Sequence, residues 1–468
     1  MPTTRTLVVC IAICVLFTTP TFSGEVSSHS SKVLYVGGVR PGNYTSIQDA
    51  IREAEDGYII FVYDDSSPYR ENLIIDKSIV LVGENKETTI IDGMGKKYVI
   101  TVLADGVKIS GFTITNGSKK AGKGIRLGSN NCTISDNIIV GNWVGIEVRN
   151  AVNNTILNNE FINNSLVFAF SNGNKVSNCT FTGSNLNIYN SINNMIISNK
   201  FIRCGVELSY ALQKVHNTIL DNSVNGKPLV YLEDGKNIEI KDAGQVILVR
   251  CENIVLKGLN IHFVPTAIRI LNSRRVAVTN NNLSENMVGI SVDLSADINI
   301  SNNFLIGNTC AGIWMCHASS SIEIVGNTVL NNDKGLYVYN CFGRITIKNN
   351  VFKNNSIGLD IRTNRCIITK NNIQMNKKYG IRLMHGYNLI YKNNFEKNAQ
   401  NAYFECFREL GINKWSFGGK GNYWDDWSGK GPYVIRGKRW ISLLFFYSTI
   451  PWFNFDFFPA KEPYNISN

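Results

Sequence analysis

The sequence predicts an all-β chain wound into a right-handed parallel β-helix, with a short helix at its N-terminal end and an aromatic segment closing its C-terminal end. Three observations predict this. First, asparagines recur through residues 112–410, at Asn137, Asn159, Asn199, Asn222, Asn281, Asn303, Asn327, Asn350, Asn372 and Asn394, with single steps of 22 to 24 residues. A fixed period in the twenties is the mark of a solenoid. Second, each unit holds a short alternating segment, such as 289-GISV-292, 312-GIWM-315, 335-GLYV-338, 358-GLDI-361 or 380-GIRL-383. Alternation is the period of a half-buried strand. Third, a second strand follows in the same unit, as in 298-INIS-301 or 345-ITIK-348, and no useful helical period intervenes. Short strands stacked in parallel make a β-helix.

From the N-terminus, residues 1–23 read as a secretory signal: Arg5, then an apolar run from Leu7 to Phe17, then small residues near Ser23. That run is too short for a bilayer, which needs about 20 residues. Residues 32–111 are expected to form an N-terminal cap and first coils. Within them Ile47, Ala50, Ile51 and Ala54 fall on one helical face, Ser46 with Asp49 makes a capping box, and Gly57 ends the helix.

Residues 112–410 supply the repeats, some fourteen coils at about 4.8 Å each, with Asn at the corners. Asparagine tolerates left-handed backbone and can hydrogen-bond to turn groups of the next coil. Phe161, Phe201, Phe304, Phe352 and Phe395, just after the corners, are expected to stack inside. The step of 59 from Asn222 to Asn281 contains an insertion, about 223–259. In it 229-LVYLEDGKNIEI-240 reads as a projecting hairpin turned at Asp234-Gly235. Residues 411–468 form the C-terminal cap, in which Ile441 to Phe458 reads as packed rather than membrane-spanning because Ser442, Ser448, Pro451, Asn454 and Asp456 interrupt it.

Composition narrows the partners. Net charge is +11 with only 18% charged residues, which suits anionic polysaccharide or an envelope glycan. No Lys/Arg run or nucleic-acid motif is present, so nucleic acid is not expected. Of eleven cysteines, Cys10 and Cys14 leave with the signal, and the other nine have no CxxC and no disulfide-framework spacing. They read as small buried apolar residues. Ten N-x-S/T sequons occur, among them Asn116, Asn131, Asn153 and Asn178, which permits glycosylation in an exported chain.

The segments 42-GNYTSIQDAIREAEDG-57, 71-ENLIIDKSIVLVGENKETTIIDG-93, 225-NGKPLVYL-232 with 244-GQVILVRCENI-254, and 421-GNYWDDWSGKGPYVI-435 resemble NosD-type β-helix proteins in order and over nearly the whole mature chain. The resemblance implies a periplasmic copper-binding or accessory role, the namesake being an exported factor in copper-site maturation of nitrous oxide reductase. It also implies a pectin-lyase-like fold whose repeat is shared with carbohydrate-binding proteins and sugar hydrolases, and a possible copper-transport partner.

Three chemistries are tested against the residues. Copper wants clustered Cys, Met or His. Cys316-His317 and Met384-His385 occupy equivalent columns but lie three coils, roughly 14 Å, apart. Calcium wants several oxygens, and the tail loop offers only Asp425 and Asp426. Its expected role is therefore structural. The hydrolase and lyase constellations of such folds are missing from the coils, so a polysaccharide lyase, hydrolase or epimerase remains an alternative without named catalytic residues. Binding fits better. The residue after each inward Ile or Leu points outward, and that column runs Glu207, Arg269, Ser291, Trp314, Tyr337, Asp360, Arg382, Tyr403. Two positions on it runs Asp293, Cys316, Tyr339, Arg362, Met384, Glu405. Trp314, Tyr337 and Tyr339 can stack on sugar rings, while Arg269, Arg362 and Arg382 beside Asp360 can reach carboxylate or sulfate.

Overall fold

A computed structural model describes residues 32–39, 41–209, 216–317, 320–406, 412–443 and 446–466. The expected secretory signal lies outside these residues. The chain is an all-β parallel solenoid of about 16 turns with one helix. Each turn contributes three short strands, each paired in parallel with its counterpart one turn away. Thr133–Ser135 pairs with Thr155–Leu157, Ile138–Val140 with Glu160–Ile162, and Val144–Arg149 with Leu166–Ala169. The same order governs the second half, where Ala311–Cys316 pairs with Lys334–Tyr339. Inward Ile, Leu, Val and Phe form one continuous core.

The turn count exceeds the sequence estimate partly because the 223–259 stretch is not a projection. Lys227–Glu233 pairs in parallel with Gln245–Val249, and Lys236–Ile240 with Glu252–Lys257. Asp234, at φ 58°, is therefore a coil corner and not a hairpin tip. The real hairpin turns nine residues upstream of Asp234-Gly235, at Asn225-Gly226. Val224 pairs antiparallel with Lys227 across Asn225-Gly226, with φ of 52° and 81°. Asn-Gly with both residues at positive φ is the strongest two-residue hairpin signal. Where this reversal displaces a strand, the Gln245 side chain fills in. Its Oε1 accepts from Val206 N at 2.9 Å, and its Nε2 donates to Val206 O and Thr266 O at 2.8 and 2.9 Å.

The helix, Ile47–Glu53, buries Ile47, Ala50 and Ile51, as the periodicity predicts. Only half of the capping box forms: Ser46 Oγ accepts from Asp49 N at 3.3 Å. Glu71 supplies the other acceptors, taking the Ile47 and Gln48 N–H groups at 2.9 Å each.

Corner chemistry is divided between neighbouring residues. The left-handed position is held by Asp136, Asn158, Ser198, Asn302, Asn349 and their equivalents. The next residue, Asn137, Asn159, Asn199, Asn303 or Asn350, turns inward and is buried. Each inward Asn accepts a backbone N–H from the preceding coil on Oδ1. Asn327 N, for example, donates to Asn350 Oδ1 at 2.8 Å, and Asn350 Nδ2 donates to Ile324 O at 2.8 Å and Lys348 O at 3.0 Å. In the coils with Asn doublets the inward members are Asn371 and Asn393. Asn372 and Asn394, read from sequence as the repeat markers, instead open the following strands. Parallel ladders run along the other corners, for example through Asn286, Asn308, Asn332, Asn355 and Asn376.

Cysteines take the same ladder positions. Cys179 N donates to Asn199 Oδ1 at 2.9 Å, and its Sγ lies 3.4 Å from Ser177 O and 3.7 Å from Ile156 O, as an Asn Nδ2 would. Burial pushes this thiol up to about 12, so it stays a donor. None of the nine described cysteines is disulfide-bonded. Inside, Phe161, Phe181 and Phe201 stack at 4.6 and 4.7 Å. Phe304 is the exception and is 52% exposed, because Leu305 takes the inward place in that coil.

After Asn422 no further coil offers an Asn to accept its backbone N–H. Asp456 does so, its Oδ2 accepting from Asn422 N at 2.7 Å and Trp424 Nε1 at 3.0 Å while Oδ1 accepts from Phe458 N at 3.1 Å. The Ile441 to Phe458 stretch departs from the packed arrangement expected. It belongs to a long antiparallel hairpin, Tyr433–Leu443 with Phe446–Asp456, and Phe453, Phe455, Phe457 and Phe458 are exposed.

Replacing Asn350 by Ala orphans the Asn327 N–H and removes one donor each from the Ile324 and Lys348 carbonyls. About 2 kcal/mol or more should be lost, read as a lower urea midpoint, whereas Cys179→Ser keeps the donor and should shift it by less than half as much. Burial raises the Asp456 pKa above its ordinary 3.8. The folded chain then holds that proton longer than the unfolded one, so this contribution is full below the unfolded value and fades as pH rises through the folded one. Asp456→Asn should therefore gain stability relative to the parent as pH rises from about 4 toward 7, in denaturation curves taken across that range.

Candidate ligand-binding face

The outward columns lie in the register read from the sequence. Arg269 pairs with Ser291, Ser291 with Trp314, Trp314 with Tyr337, Tyr337 with Asp360, and Asp360 with Arg382. The second column places Asp293 beside Cys316, Cys316 beside Tyr339 and Tyr339 beside Arg362. Glycine two positions before Ser291, Trp314, Tyr337, Asp360 and Arg382 allows the close stacking. A Cβ on Gly335 would lie 2.5 Å from Gly358 O.

Trp314 and Tyr337 have ring centroids 4.3 Å apart, and Tyr337 lies 6.4 Å from Tyr339 with the rings parallel within 4°. Tyr339 is 44% exposed, while Tyr337 is nearly enclosed, and burial pushes its pKa up. Arg362 lies over the Tyr337 ring at 5.2 Å and Lys334 at 5.7 Å.

Asp360 is fully buried, and both arginines turn onto it. Arg362 donates from Nε and Nη2 at 3.3 and 3.2 Å, and Arg382 from Nε and Nη2 at 3.0 and 2.6 Å. These forks were expected to face a ligand, and each gives two of its donors to an internal carboxylate. Arg269 stands apart, bonded at 2.9 Å to Glu207, which also accepts from Thr266. Burial raises the Glu207 pKa.

The soft donors are brought only partly together. Cys316 Sγ accepts from Trp314 Nε1 at 3.0 Å, and burial pushes its thiol up. His317 Nδ1 lies 3.4 Å from Asp293 Oδ1, with its ring edge-on to Tyr339 at 5.9 Å. Met384 and His385 stay three coils along, roughly 14 Å from Cys316. Asp425 accepts from Lys397 N at 2.6 Å and Asn401 at 3.0 Å, and Asp426 from Asn401 at 2.9 Å and Tyr433 at 3.2 Å. All four oxygens tie the tail to the last coils.

Sequence reasoning missed Lys334 and His317 as neighbours of the tyrosines. Lys334 sits immediately before the strand glycine, a position the column count did not follow. A shallow concavity on another sheet, lined by Asp297, Asn299, Ser321, Glu323, Arg344 and Thr346, has no aromatic lining.

The model of the periplasmic copper-binding protein family NosD matches residues 59–240 and 235–429. The chain belongs to the NosD family. Solved structures similar to it include pectin methylesterase PemA from Erwinia chrysanthemi, at 14% identity over 50% of this chain and 79% of that one, TM-score 0.28. Others are the A-module of mannuronan C-5 epimerase AlgE4 from Azotobacter vinelandii, at 14% over 79% and 94%, TM-score 0.27, and the Dettilon tailspike protein gp208, at 13% over 76% and 63%, TM-score 0.31. At these values they bear on neither substrate nor site. Among the described residues no helix is long and apolar enough to cross a membrane.

Copper, which the NosD description implies, does not fit the donors described. Among the described residues no group of three or more His, Cys, Asp or Glu could hold a metal ion. The Cys316-His317 pair is short of a third soft ligand, and its thiol is held neutral by burial.

Asp360→Ala would leave two guanidinium groups facing each other, and a loss of about 3 kcal/mol is expected, measured by chemical denaturation. The purified chain, loaded with Cu(I) and desalted, should retain well under one equivalent, and Cys316→Ser should not change that amount, read by elemental analysis.

Proposed function

We propose that this NosD-family member is an exported, non-catalytic β-helix protein that binds anionic carbohydrate along the sheet face bearing Trp314, Tyr337 and Tyr339. The observation that supports this most directly is the contiguous aromatic run in register with Arg362 and Arg382. Sugar rings offer C–H faces to Trp and Tyr, and here Tyr339 is exposed and Trp314 half-buried. Arg362 and Arg382 remain partly open at 30% and 19% of their side chains while Asp360 holds them in place. A guanidinium has five N–H donors, so an arginine fixed through two of them still has donors for a ligand carboxylate or sulfate. Asp360 thus acts as a splint for the cationic side of the face. The net charge of +11 favours the approach of a polyanion.

A role as an accessory factor in copper-site maturation is the second reading, favoured by family membership. With no fitting donor set among the described residues, that role would have a copper-transport partner hold the metal.

Affinity electrophoresis through gels containing pectate or alginate tests the first reading. Mobility should be retarded, and Tyr339→Ala, Trp314→Ala and Arg362→Ala should each weaken retardation by about tenfold, roughly 1.4 kcal/mol. Unretarded migration of the parent chain would overturn the reading, and release of reducing sugar ends would replace it with an enzymatic one.

A further inference from the structure

The C-terminal hairpin has two unlike faces. Its inner face carries Ile435, Asn454 and Asp456, all buried, at the end of the solenoid. Its outer face follows from the antiparallel register, in which Val434 pairs with Phe455, Arg436 with Phe453, Lys438 with Pro451 and Trp440 with Thr449. Val434, Phe453 and Phe455 are 43%, 50% and 41% exposed, and Arg436, Lys438 and Pro451 are exposed as well. Phe457, 66% exposed, continues the row, its ring 5.8 Å from that of Phe455. The solenoid pairs with this hairpin at Phe404–Cys406 against Gly437–Arg439, and from Trp440 to Leu443 the described pairing is between the two hairpin strands alone.

We propose that this outer face docks on an anionic lipid surface, lying at the headgroup level with Phe453, Phe455 and Phe457 dipped toward the acyl boundary and Arg436 and Lys438 on the lipid phosphates. Charge complementarity selects that occupant. The hairpin's outer face interleaves two cations with apolar side chains, and its own one carboxylate, Asp456, is on the buried side, so the acid beside it is Glu405 of the last coil, in register with Lys438, while Arg436 pairs with Phe453. A polybasic segment is drawn to an anionic leaflet, by about fivefold in affinity for each Lys or Arg near the surface. Aromatic side chains settle at the interface, where an open two-stranded edge can keep its free backbone groups hydrated, which the hydrocarbon interior would forbid. A second copy is a poor occupant. Like charges would face each other, and Pro451 has no N–H to offer a further strand. A glycan is disfavoured by the residue types, because Phe, Val and Pro bring no polar group to satisfy sugar hydroxyls.

Co-sedimentation of the mature chain with vesicles of phosphatidylcholine alone, and of phosphatidylcholine mixed with phosphatidylglycerol, tests the proposal. Binding should appear only with phosphatidylglycerol, fall with added salt, and drop at least tenfold in Phe453→Ser/Phe455→Ser. Arg436→Gln/Lys438→Gln should lose about 25-fold, two basic residues' worth. Unchanged urea midpoints would show that these exposed substitutions leave the fold intact. Retention of vesicle binding in both double variants would overturn the proposal. So would no binding by the parent, a concentration-dependent dimer abolished by Phe453→Ser/Phe455→Ser, or hairpin variants that lose pectate retardation in place of vesicle binding.

Discussion

The inward hydrogen-bond ladder at the corners is the interaction on which the rest of the structure depends. A solenoid turn must reverse direction three times, and at each corner one inward backbone N–H finds its acceptor on a side chain of the next coil, while nearby carbonyls take a second donor from the same side chain. Left unpaired in an apolar interior, that N–H would cost on the order of 1–3 kcal/mol. One inward Asn per corner answers this, since its amide is both acceptor and double donor. Ser171, Ser273 and Ser295 do the same work with a hydroxyl, and Cys179 and Cys251 with a thiol. The cysteines are therefore fixed by geometry and held protonated by burial, which removes most of the chain's sulfur from any metal chemistry. The ladder is also directional. Each coil's N–H points to the next coil's side chain, so the last rung needs an acceptor that asks for no further donor, and a carboxylate, Asp456, meets that requirement.

How much of this was legible follows from what repeats. The strand segments, the helix at Ile47–Glu53 and both outward columns could be counted because the period is regular and strand alternation is strict. Misreadings came where two residues share a job or where the count breaks. In 371-NN-372 and 393-NN-394 the sequence offers two asparagines and only packing says that the first is inward. Phe304 looked equivalent to Phe352 because both lie just after a corner Asn, but Phe352 is two residues past Asn350 and Phe304 only one past Asn303, so Leu305 holds the inward place in the Phe352 column. In 223–259 the Asp234-Gly235 pair looked like a hairpin, yet Asn225-Gly226 was the reversal. Asp-Gly serves equally well at a corner, and what decides is whether the flanking strands pair with each other or with the next coil. Ile441–Phe458 looked packed because aromatic segments usually are, and burial is a tertiary property that alternation alone does not assign.

The aromatic–arginine face shows the same limit for function. Register brought Trp314, Tyr337 and Tyr339 together as counted, because a column in a parallel stack is fixed by spacing. The partners of Arg362 and Arg382 could not be counted, since a long side chain chooses among neighbours in two coils. Both chose Asp360. A fully buried carboxylate would be costly alone, and two guanidinium forks compensate it while fixing their own rotamers. Arginines positioned in this way lose less entropy on meeting a second anion than free ones would, so the internal pair and an external ligand are compatible rather than competing.

Family and geometry then constrain each other. The NosD description names copper, while the soft donors of this face are one half-buried thiol that accepts from Trp314, one histidine already beside Asp293, and Met384-His385 three coils away, with most other thiols committed to ladders. The stack explains why a compact metal site is hard to build on this surface. Residues in a column are about 4.8 Å apart per coil, and those in one strand alternate faces, so three soft ligands would have to fall in neighbouring coils at matched positions. Here Tyr339 and Arg362 occupy the places between Cys316 and Met384 where such ligands would be needed. The same spacing suits a long polymer or an extended surface, which can meet several coils at once. The flat, repeating geometry of the rod thus favours partners that are themselves extended, and it places the chain's distinctive chemistry in rows of side chains rather than in a pocket.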